Sequence, residues 1–147
     1  MVRGSHYIRS WSSTQKCVTL SSGEAELIAL VKTSSEVIGI IQMAADWGEE
    51  VSGEVFTDSA AALGVTRRSG CGKLRHVRVG NLWVQEKQDT GELGYKKVDG
   101  SENPADAGTK YLSEEKMRKL MRSVLQEPVE GRSRISLKIS WGSGTRQ

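Results

Sequence analysis

The feature that most constrains the fold is a long run of apolar residues at helical spacing, which begins in the stretch TLSSGEAELIAL. From Leu27 onward, apolar side chains recur every three or four residues, and the run ends near Trp47 and Gly48. Ser21 followed by Glu24 matches the S-x-x-E capping box, in which each side chain satisfies a backbone donor of the first helical turn. The sequence therefore predicts one long amphipathic helix that starts just after Ser21.

Strand and helix signals alternate on either side of this helix. SHYIRSW and QKCVTLSS, separated by SST, predict two strands of a hairpin at the start of the chain. Glu54 to Thr57 predicts a strand that ends at Asp58, followed by a short helix capped by Ser59 or Asp58. KLRHVRVGNLWVQEK predicts a second amphipathic helix, and TGELGYKKVDG a turn and a final strand.

The last predicted elements are helical. In SENPADAGTK, Asn103 is a candidate cap and Pro104 occupies the first helical position, and Ser113 to Leu125 predicts a charged helix. The resulting order is β, β, α, β, α, α, β, α, which predicts an α/β domain built on a mixed sheet. Trp47 and Trp83 are expected in its core.

The length of 147 residues suits one domain, which we place at residues 1–125, followed by a basic and flexible tail at 126–147. Hydrophobic residues make up 37% of the chain, without a segment resembling a membrane span or a secretory signal, so we expect an intracellular protein with no membrane contact. Cys17 and Cys71 lack the number and spacing of a disulfide framework or a zinc site and are predicted to be free thiols.

A basic stretch follows the second predicted strand. The net charge is only +3, but no acidic residue lies between Asp58 and Glu86. That interval contains the glycine-rich loop RRSGCGK, which could lie against the phosphates of a nucleic acid. The candidate nucleic-acid-binding residues are Arg67, Arg68, Lys73, Arg75 and His76. A solvated basic face is the alternative interpretation.

Three carboxylates lie at the ends of predicted elements. Glu26 is in the first turns of the long helix, Asp58 at the carboxyl end of a strand, and Asp106 in a helix start after the last strand. Carboxylates that converge at the rim of a sheet repel one another unless a cation neutralises them. A pair of Mg²⁺ ions held in this way can hydrolyse a phosphodiester, which predicts a nuclease. The alternative is that all three are capping or surface residues.

Four blocks between Trp11 and Leu112 resemble, in order, the ribonuclease H domain of copia-type retrotransposon Pol polyproteins. They are SWSSTQKCVTLSSGEAELIAL, VFTDSAAALGV, GKLRHVRVGNLWVQEK and YKKVDGSENPADAGTK. The resemblance implies a ribonuclease H-like mixed sheet flanked by helices. It also implies a two-ion Mg²⁺ site, with Mn²⁺ as a substitute, and hydrolysis of the RNA strand of an RNA–DNA hybrid.

The resemblance also implies roles for the carboxylates. The family's catalytic glutamate directly precedes an apolar residue, which here selects Glu26, followed by Leu27, and leaves Glu24 as the cap. Asp58 and Asp106 would be further catalytic metal ligands, with Asp106 the more weakly held. The resemblance places a histidine in the block that contains His76, and it leaves open both a structural role and a contact with a phosphate or a metal-bound water.

One part of the family pattern is missing. The family's first aspartate lies on a central first strand, whereas Met1 to Gly23 contains neither Asp nor Glu. We therefore expect a sheet without its first central strand, an N-terminally truncated domain with impaired cleavage, and an upstream polypeptide segment as the source of the missing strand. The alternative is a catalytically inactive nucleic-acid-binding or relic domain, so the sequence leaves enzymatic activity open.

Overall fold

The structure is a computed structural model that describes residues 1–4, 6–70, 72 and 79–126. Strands and α-helices alternate along most of these residues, which confirms the predicted α/β class. Their bounds are β1 (Val2–Arg3), β2 (His6–Tyr7), α1 (Ser22–Asp46), β3 (Gly53–Thr57), α2 (Ala60–Thr66), α3 (Trp83–Asp89), β4 (Leu93–Lys97) and α4 (Glu114–Ser123). Two 3-10 turns add to them, at Val79–Leu82 and Pro104–Gly108. Most of the predicted tail lies outside the described residues.

Helix α1 begins and ends where its local signals predict. The Ser21 hydroxyl accepts a hydrogen bond from the Glu24 amide at 3.2 Å, and the Glu24 carboxylate accepts one from the Leu20 amide at 2.8 Å. The helix is terminated by Gly48, which lies two residues after Asp46 and has a left-handed φ of 78°. The Gly48 amide donates a hydrogen bond to the Ala45 carbonyl at 2.9 Å. The predicted capping box is therefore confirmed, although Glu24 reaches one residue beyond the cap.

The core forms where the helices pack on one face of a parallel pair of strands. β3 and β4 pair in parallel with Val55 opposite Tyr95. Side chains alternate along β3, so Val55 and Thr57 are buried whereas Glu54 and Phe56 are exposed. The buried cluster consists of Leu27, Leu30, Val55, Ala62, Leu63, Val65, Val84, Leu93 and Tyr95. Helix α1 is thereby fixed to the sheet through its first turns.

The N-terminal hairpin differs from the predicted one. β1 and β2 pair in antiparallel fashion, with Arg3 opposite His6, and QKCVTLSS forms no strand. The prediction of a second strand there was wrong, because Gln15 of this segment contacts α1 instead of a strand partner, donating to the Ala25 carbonyl at 2.7 Å. The residues before it also contact α1, Arg9 through Glu36 at 3.0 Å and Ser13 through Lys32 at 2.7 Å.

The strands form two small sheets rather than one mixed sheet. β1 pairs with β2, β3 pairs with β4, and among the described residues no strand joins the two pairs. β3 therefore has one edge without a strand partner within residues 1–4, 6–70, 72 and 79–126. This free edge is where a further strand could add.

By length and composition, helix α1 could cross a membrane, contrary to the expectation that nothing in the chain resembles a span. These two properties do not identify a membrane helix, since a core helix and a signal sequence share them. Leu27 and Leu30 of α1 are buried in the core cluster, whereas only 22% of the most apolar stretch of the helix is buried. The intracellular location stays a prediction.

Part of the second predicted amphipathic helix lies among the described residues. Val79–Leu82 forms a 3-10 turn and Trp83–Asp89 forms α3, and residues 73–78 of the pattern lie outside the described part of the chain. Val84 is fully buried and Trp83 packs against the core cluster. The prediction of a core position for Trp47 was wrong, because this residue caps the carboxyl end of α1 and is 70% exposed.

Candidate carboxylate site

Glu26 and Asp58 line one cleft at the carboxyl end of β3. The cleft has a volume of about 130 Å³, and residues from α1, from β3 and from the 3-10 turn at Pro104–Gly108 form its walls. Asp58 directly follows the last residue of β3, and Glu26 lies in the second turn of α1. The sequence placed these carboxylates at element ends, and the tertiary structure brings them to the same cleft.

The backbone around Asp58 is well fixed. The Ser59 amide donates to the Thr57 hydroxyl at 3.1 Å, and the Ser59 hydroxyl accepts from the Ala62 amide at 3.2 Å, which caps α2. Gly100 lies on the other side, close enough that a Cβ added to this glycine would be 3.5 Å from Oδ2 of Asp58. The carboxylate therefore sits between the start of α2 and the loop after β4.

Asp106 lies next to this cleft and is almost completely buried. Asp106 is held in the 3-10 turn at Pro104–Gly108, which Asn103 caps as predicted. Oδ1 of Asn103 accepts a hydrogen bond from the Ala105 amide at 3.1 Å. Oδ1 of Asp106 lies 2.9 Å from Nζ of Lys110, and its carbonyl accepts from the Lys110 amide at 3.0 Å. A buried carboxylate requires such a partner, because burial without one is costly.

The ammonium group of Lys110 is held by the Asp106 carboxylate. Its hydrogen bond to Asp106 and the negative charge of that residue raise the pKa of the Lys110 ammonium group above its ordinary value, with smaller contributions from Asp58 and Glu26. Glu26 and Asp58 share the cleft and Asp106 lies beside it. A joint site of all three carboxylates and their catalytic role stay predictions.

The side chains around the cleft are not arranged as the ligands of a metal ion. Among the described residues, no group of three or more His, Cys, Asp and Glu side chains is arranged to hold a metal ion. Asp106 is instead paired with Lys110. The described side chains therefore do not fit a tightly held Mg²⁺, and the two-ion site stays a prediction that this arrangement does not support.

The predicted basic loop begins where α2 ends. Arg67 is exposed at this end, and Arg68 is half-buried. The guanidinium group of Arg68 lies against Gly72, because a Cβ added to this glycine would be 2.5 Å from its Cζ. Gln85 of α3 holds the loop at Gly70, donating to its carbonyl at 2.9 Å and accepting from its amide at 3.1 Å. The other candidate nucleic-acid-binding residues lie outside the described residues: Lys73, Arg75 and His76.

Two residues of these sites were not singled out from the sequence. Lys110 follows Asp106 by four residues, a spacing that favours ion pairs and could have pointed to it. Gln85 is buried and also donates to the Val65 carbonyl at 2.9 Å. No local pattern identifies Gln85, because its partners lie 15 and 20 residues away.

The comparisons with known proteins give one relationship. Over 110 residues, or 73% of this chain, the sequence is 34% identical to the retrovirus-related Pol polyprotein from transposon TNT 1-94 of Nicotiana tabacum. The chain spans 8% of the length of that polyprotein. No family model and no solved structure matches the chain.

Proposed function

Because this chain is a homologue of a segment of a retrotransposon Pol polyprotein and so derives from a retroelement, we propose that it is a ribonuclease H-like domain. The proposed substrate is an RNA–DNA hybrid, whose RNA strand intact domains of this class hydrolyse with Mg²⁺ or Mn²⁺. This chain spans 8% of the length of that polyprotein, so the activity proposed here concerns only the segment that the chain matches.

The observation that carries the proposal is the position of the carboxylates. Glu26 and Asp58 line one cleft at the carboxyl end of β3, and buried Asp106 lies beside it. Functional groups of open α/β folds collect at this end of parallel strands. Glu26 and Asp58 come from separate elements to one cleft, which supports a phosphodiester-processing site over unrelated surface residues.

We propose further that hydrolysis by this chain is impaired. Met1 to Gly23 contains no carboxylate that could complete the site, and Lys110 is paired with Asp106. Groups that act as a unit fail together when one is missing. The free edge of β3 ends next to Asp58, so an added strand that carries an aspartate would place its carboxylate near the cleft.

A second candidate function is binding of a hybrid without hydrolysis. The observation that favours it is the loop after α2, because exposed Arg67 lies at its start and Gln85 fixes its backbone at Gly70. A basic loop with a fixed backbone can contact phosphates without any metal ion. This function would leave the carboxylates without a catalytic role.

Cleavage of a labelled RNA–DNA hybrid tests the first function. The chain is incubated in Mg²⁺ and in Mn²⁺, alone and as a version extended by a strand that carries an aspartate, each with an Asp58→Asn control. We expect the extended version to cleave and its Asp58→Asn variant to be inactive. Cleavage by the chain alone that Asp58→Asn removes would contradict the proposed impairment, and no cleavage by either version would contradict the ribonuclease site.

Binding of the same hybrid tests the second function. Fluorescence anisotropy without divalent ions is compared for the chain and for an Arg67→Ala variant at two salt concentrations. We expect weaker binding and a smaller salt dependence for the variant, because one phosphate contact is lost. A Lys119→Ala variant, which removes an exposed lysine of α4, is the matched control and should bind as the unchanged chain does. Equal binding by all three would exclude the loop as the binding surface.

A further inference from the structure

We propose that residues 134–141 of this chain, RISLKISW, form a strand that pairs with the free edge of β3. These residues lie outside the part of the chain that the structure describes, whereas the edge of β3 lies within it. The inference goes beyond the proposed function and does not rest on it, because it concerns the pairing of backbone groups and not hydrolysis. Its test measures hydrogen exchange and can fail independently of cleavage.

The backbone of β3 presents unpaired groups along its free edge. The Thr57 carbonyl accepts from the Val98 amide at 3.0 Å, so the backbone groups of Thr57 and Val55 face β4. Successive residues of a strand present their backbone groups to opposite sides, so those of Glu54 and Phe56 face away from β4. Among the described residues, no strand pairs with them. Such a row of amides and carbonyls is a template for a further strand.

The cleft that contains Glu26 and Asp58 runs along this edge. Three consecutive residues of β3, 55–57, line the cleft, although their side chains alternate between the two faces of the strand. Within the described part of the chain, no residue of β4 lines it. A space that touches both faces of β3 but not β4 lies beside the strand. Ala29 and Leu30 of α1 add apolar surface to its wall.

The segment RISLKISW has the period of a strand with one apolar face. Apolar residues alternate in it with serine and basic residues, and the apolar ones are Ile135, Leu137, Ile139 and Trp141. Strict alternation of this kind is typical of a half-buried strand. Beside β3, the apolar face of the segment would pack against Ala29 and Leu30, and Arg134 and Lys138 would lie on the opposite face.

The described part of the chain ends within reach of this edge. Helix α4 packs against the 3-10 turn at Pro104–Gly108, and Ala105 of that turn lines the cleft. With 10 residues, α4 is about 15 Å long. Residues 127–133, which connect Gln126 to the segment, span about 25 Å when extended. The connection is therefore longer than the helix, so the segment can return to the cleft.

Charge favours this segment as the partner. Glu26 and Asp58 make the cleft acidic, and no lysine or arginine of the described residues lines it. Residues 131–147, in contrast, contain basic residues and neither Asp nor Glu. Opposite charges favour the pairing. A strand from this segment would cover the edge without supplying a carboxylate, so it would compete there with the aspartate-bearing strand that would complete the site.

The test is hydrogen exchange of backbone amides, followed by NMR spectroscopy, in the unchanged chain and in two variants. Leu137→Asp places a carboxylate on the apolar face of the segment. Ser136→Asp is the matched control, because it places the same charge on the opposite face. The Phe56 amide reports on the free edge of β3, whereas the Val55 amide, which faces β4, reports on whether the domain is folded.

We expect the Phe56 amide to exchange at least about fivefold more slowly in the unchanged chain and in Ser136→Asp than in Leu137→Asp, the factor for one hydrogen bond of ordinary net strength. The Val55 amide should be protected in all three chains. Equal exchange of Phe56 in the three chains would overturn the inference. So would an equal loss of protection in both variants, which would indicate an effect of charge alone.

A second measurement uses only the unchanged chain and so does not depend on a variant being folded. Cross-strand nuclear Overhauser effects are expected between the Phe56 amide and residues 134–141, in a monomer and at two protein concentrations alike. Their absence would overturn the inference. Protection of Phe56 that increases with concentration as a dimer forms would also overturn it, because the partner strand would then come from a second copy of the chain.

Discussion

The hydroxyl group of Tyr95 on β4 lies 3.0 Å from the hydroxyl group of Ser34 on α1, and both residues are buried. Ser34 uses its only hydrogen to donate to the Leu30 carbonyl at 2.8 Å, so Tyr95 is the donor to Ser34. This contact joins residues 61 positions apart and fixes the helix that carries Glu26 to the sheet that carries Asp58.

Burial raises the pKa of the Tyr95 hydroxyl above its ordinary value of 10.0. A raised pKa in the folded state means that folding favours the neutral form of the Tyr95 hydroxyl. The contribution of this group to the free energy of unfolding is therefore complete below pH 10 and is lost as the pH rises through the folded-state pKa. We therefore expect Tyr95→Phe to cost about 1 kcal/mol at pH 7. The difference from the unchanged protein should shrink at pH 11.

Urea denaturation at the two pH values measures this difference. Tyr111→Phe is the matched control, because Tyr111 is fully exposed and its replacement should leave the free energy of unfolding unchanged at either pH. An identical pH dependence in the unchanged protein and in Tyr95→Phe would contradict the assignment of this titration to Tyr95.

Gly53 is required at the start of β3 by the packing of its neighbours. A Cβ there would lie 2.6 Å from the side chain of Val37, 2.7 Å from that of Leu93 and 2.9 Å from that of Ile41. Gly53→Ala should therefore reduce the free energy of unfolding by about 1–3 kcal/mol, the usual cost of overpacking. Thermal and urea denaturation measure this loss.

Gly64→Ala provides the opposite case in α2, where an added Cβ meets nothing within 4 Å. Alanine restricts the unfolded chain and favours the helix, so we expect a gain of about 0.5–1 kcal/mol. A loss of stability in Gly64→Ala as large as that in Gly53→Ala would show that the contacts of Gly53 are not the cause.

The two glutamates at the start of α1 should respond differently to replacement. Glu24→Ala removes the acceptor of the Leu20 amide, and we expect a loss of about 0.5–1 kcal/mol, in the range of a lost helix cap. Glu26→Gln should leave stability unchanged or slightly increase it, because Glu26 is exposed beside Asp58. Urea denaturation measures the free energy of unfolding of both variants. An equal loss in Glu24→Ala and Glu26→Gln would contradict the assignment of the capping role to Glu24 alone.

Replacement of Gln85 should loosen the basic loop. Gln85→Ala removes its hydrogen bonds to the Val65 carbonyl and to the Gly70 carbonyl and amide. Leaving these backbone groups unpaired costs about 1–3 kcal/mol, and we expect faster proteolysis at the loop. Limited trypsin digestion followed by mass spectrometry measures the cleavage sites. Gln88→Ala on the same helix is the control and should be digested as slowly as the unchanged protein.

The sequence by itself determined the local elements of this protein. The start of α1 at Ser21, its end before Gly48, the strand ending at Asp58 and the cap at Asn103 all follow from a few adjacent residues. Such signals are readable because a helical period, a capping side chain and a left-handed glycine act over one or two turns of the backbone.

Only the tertiary structure decided which distant groups meet. It placed Glu26 and Asp58 in one cleft, paired buried Asp106 with Lys110, and fixed the basic loop through Gln85. It also placed Gln15 of QKCVTLSS against α1, where the sequence predicted a strand. A strand needs a partner and a buried carboxylate needs a cation, and both are chosen by how segments far apart in the sequence pack together.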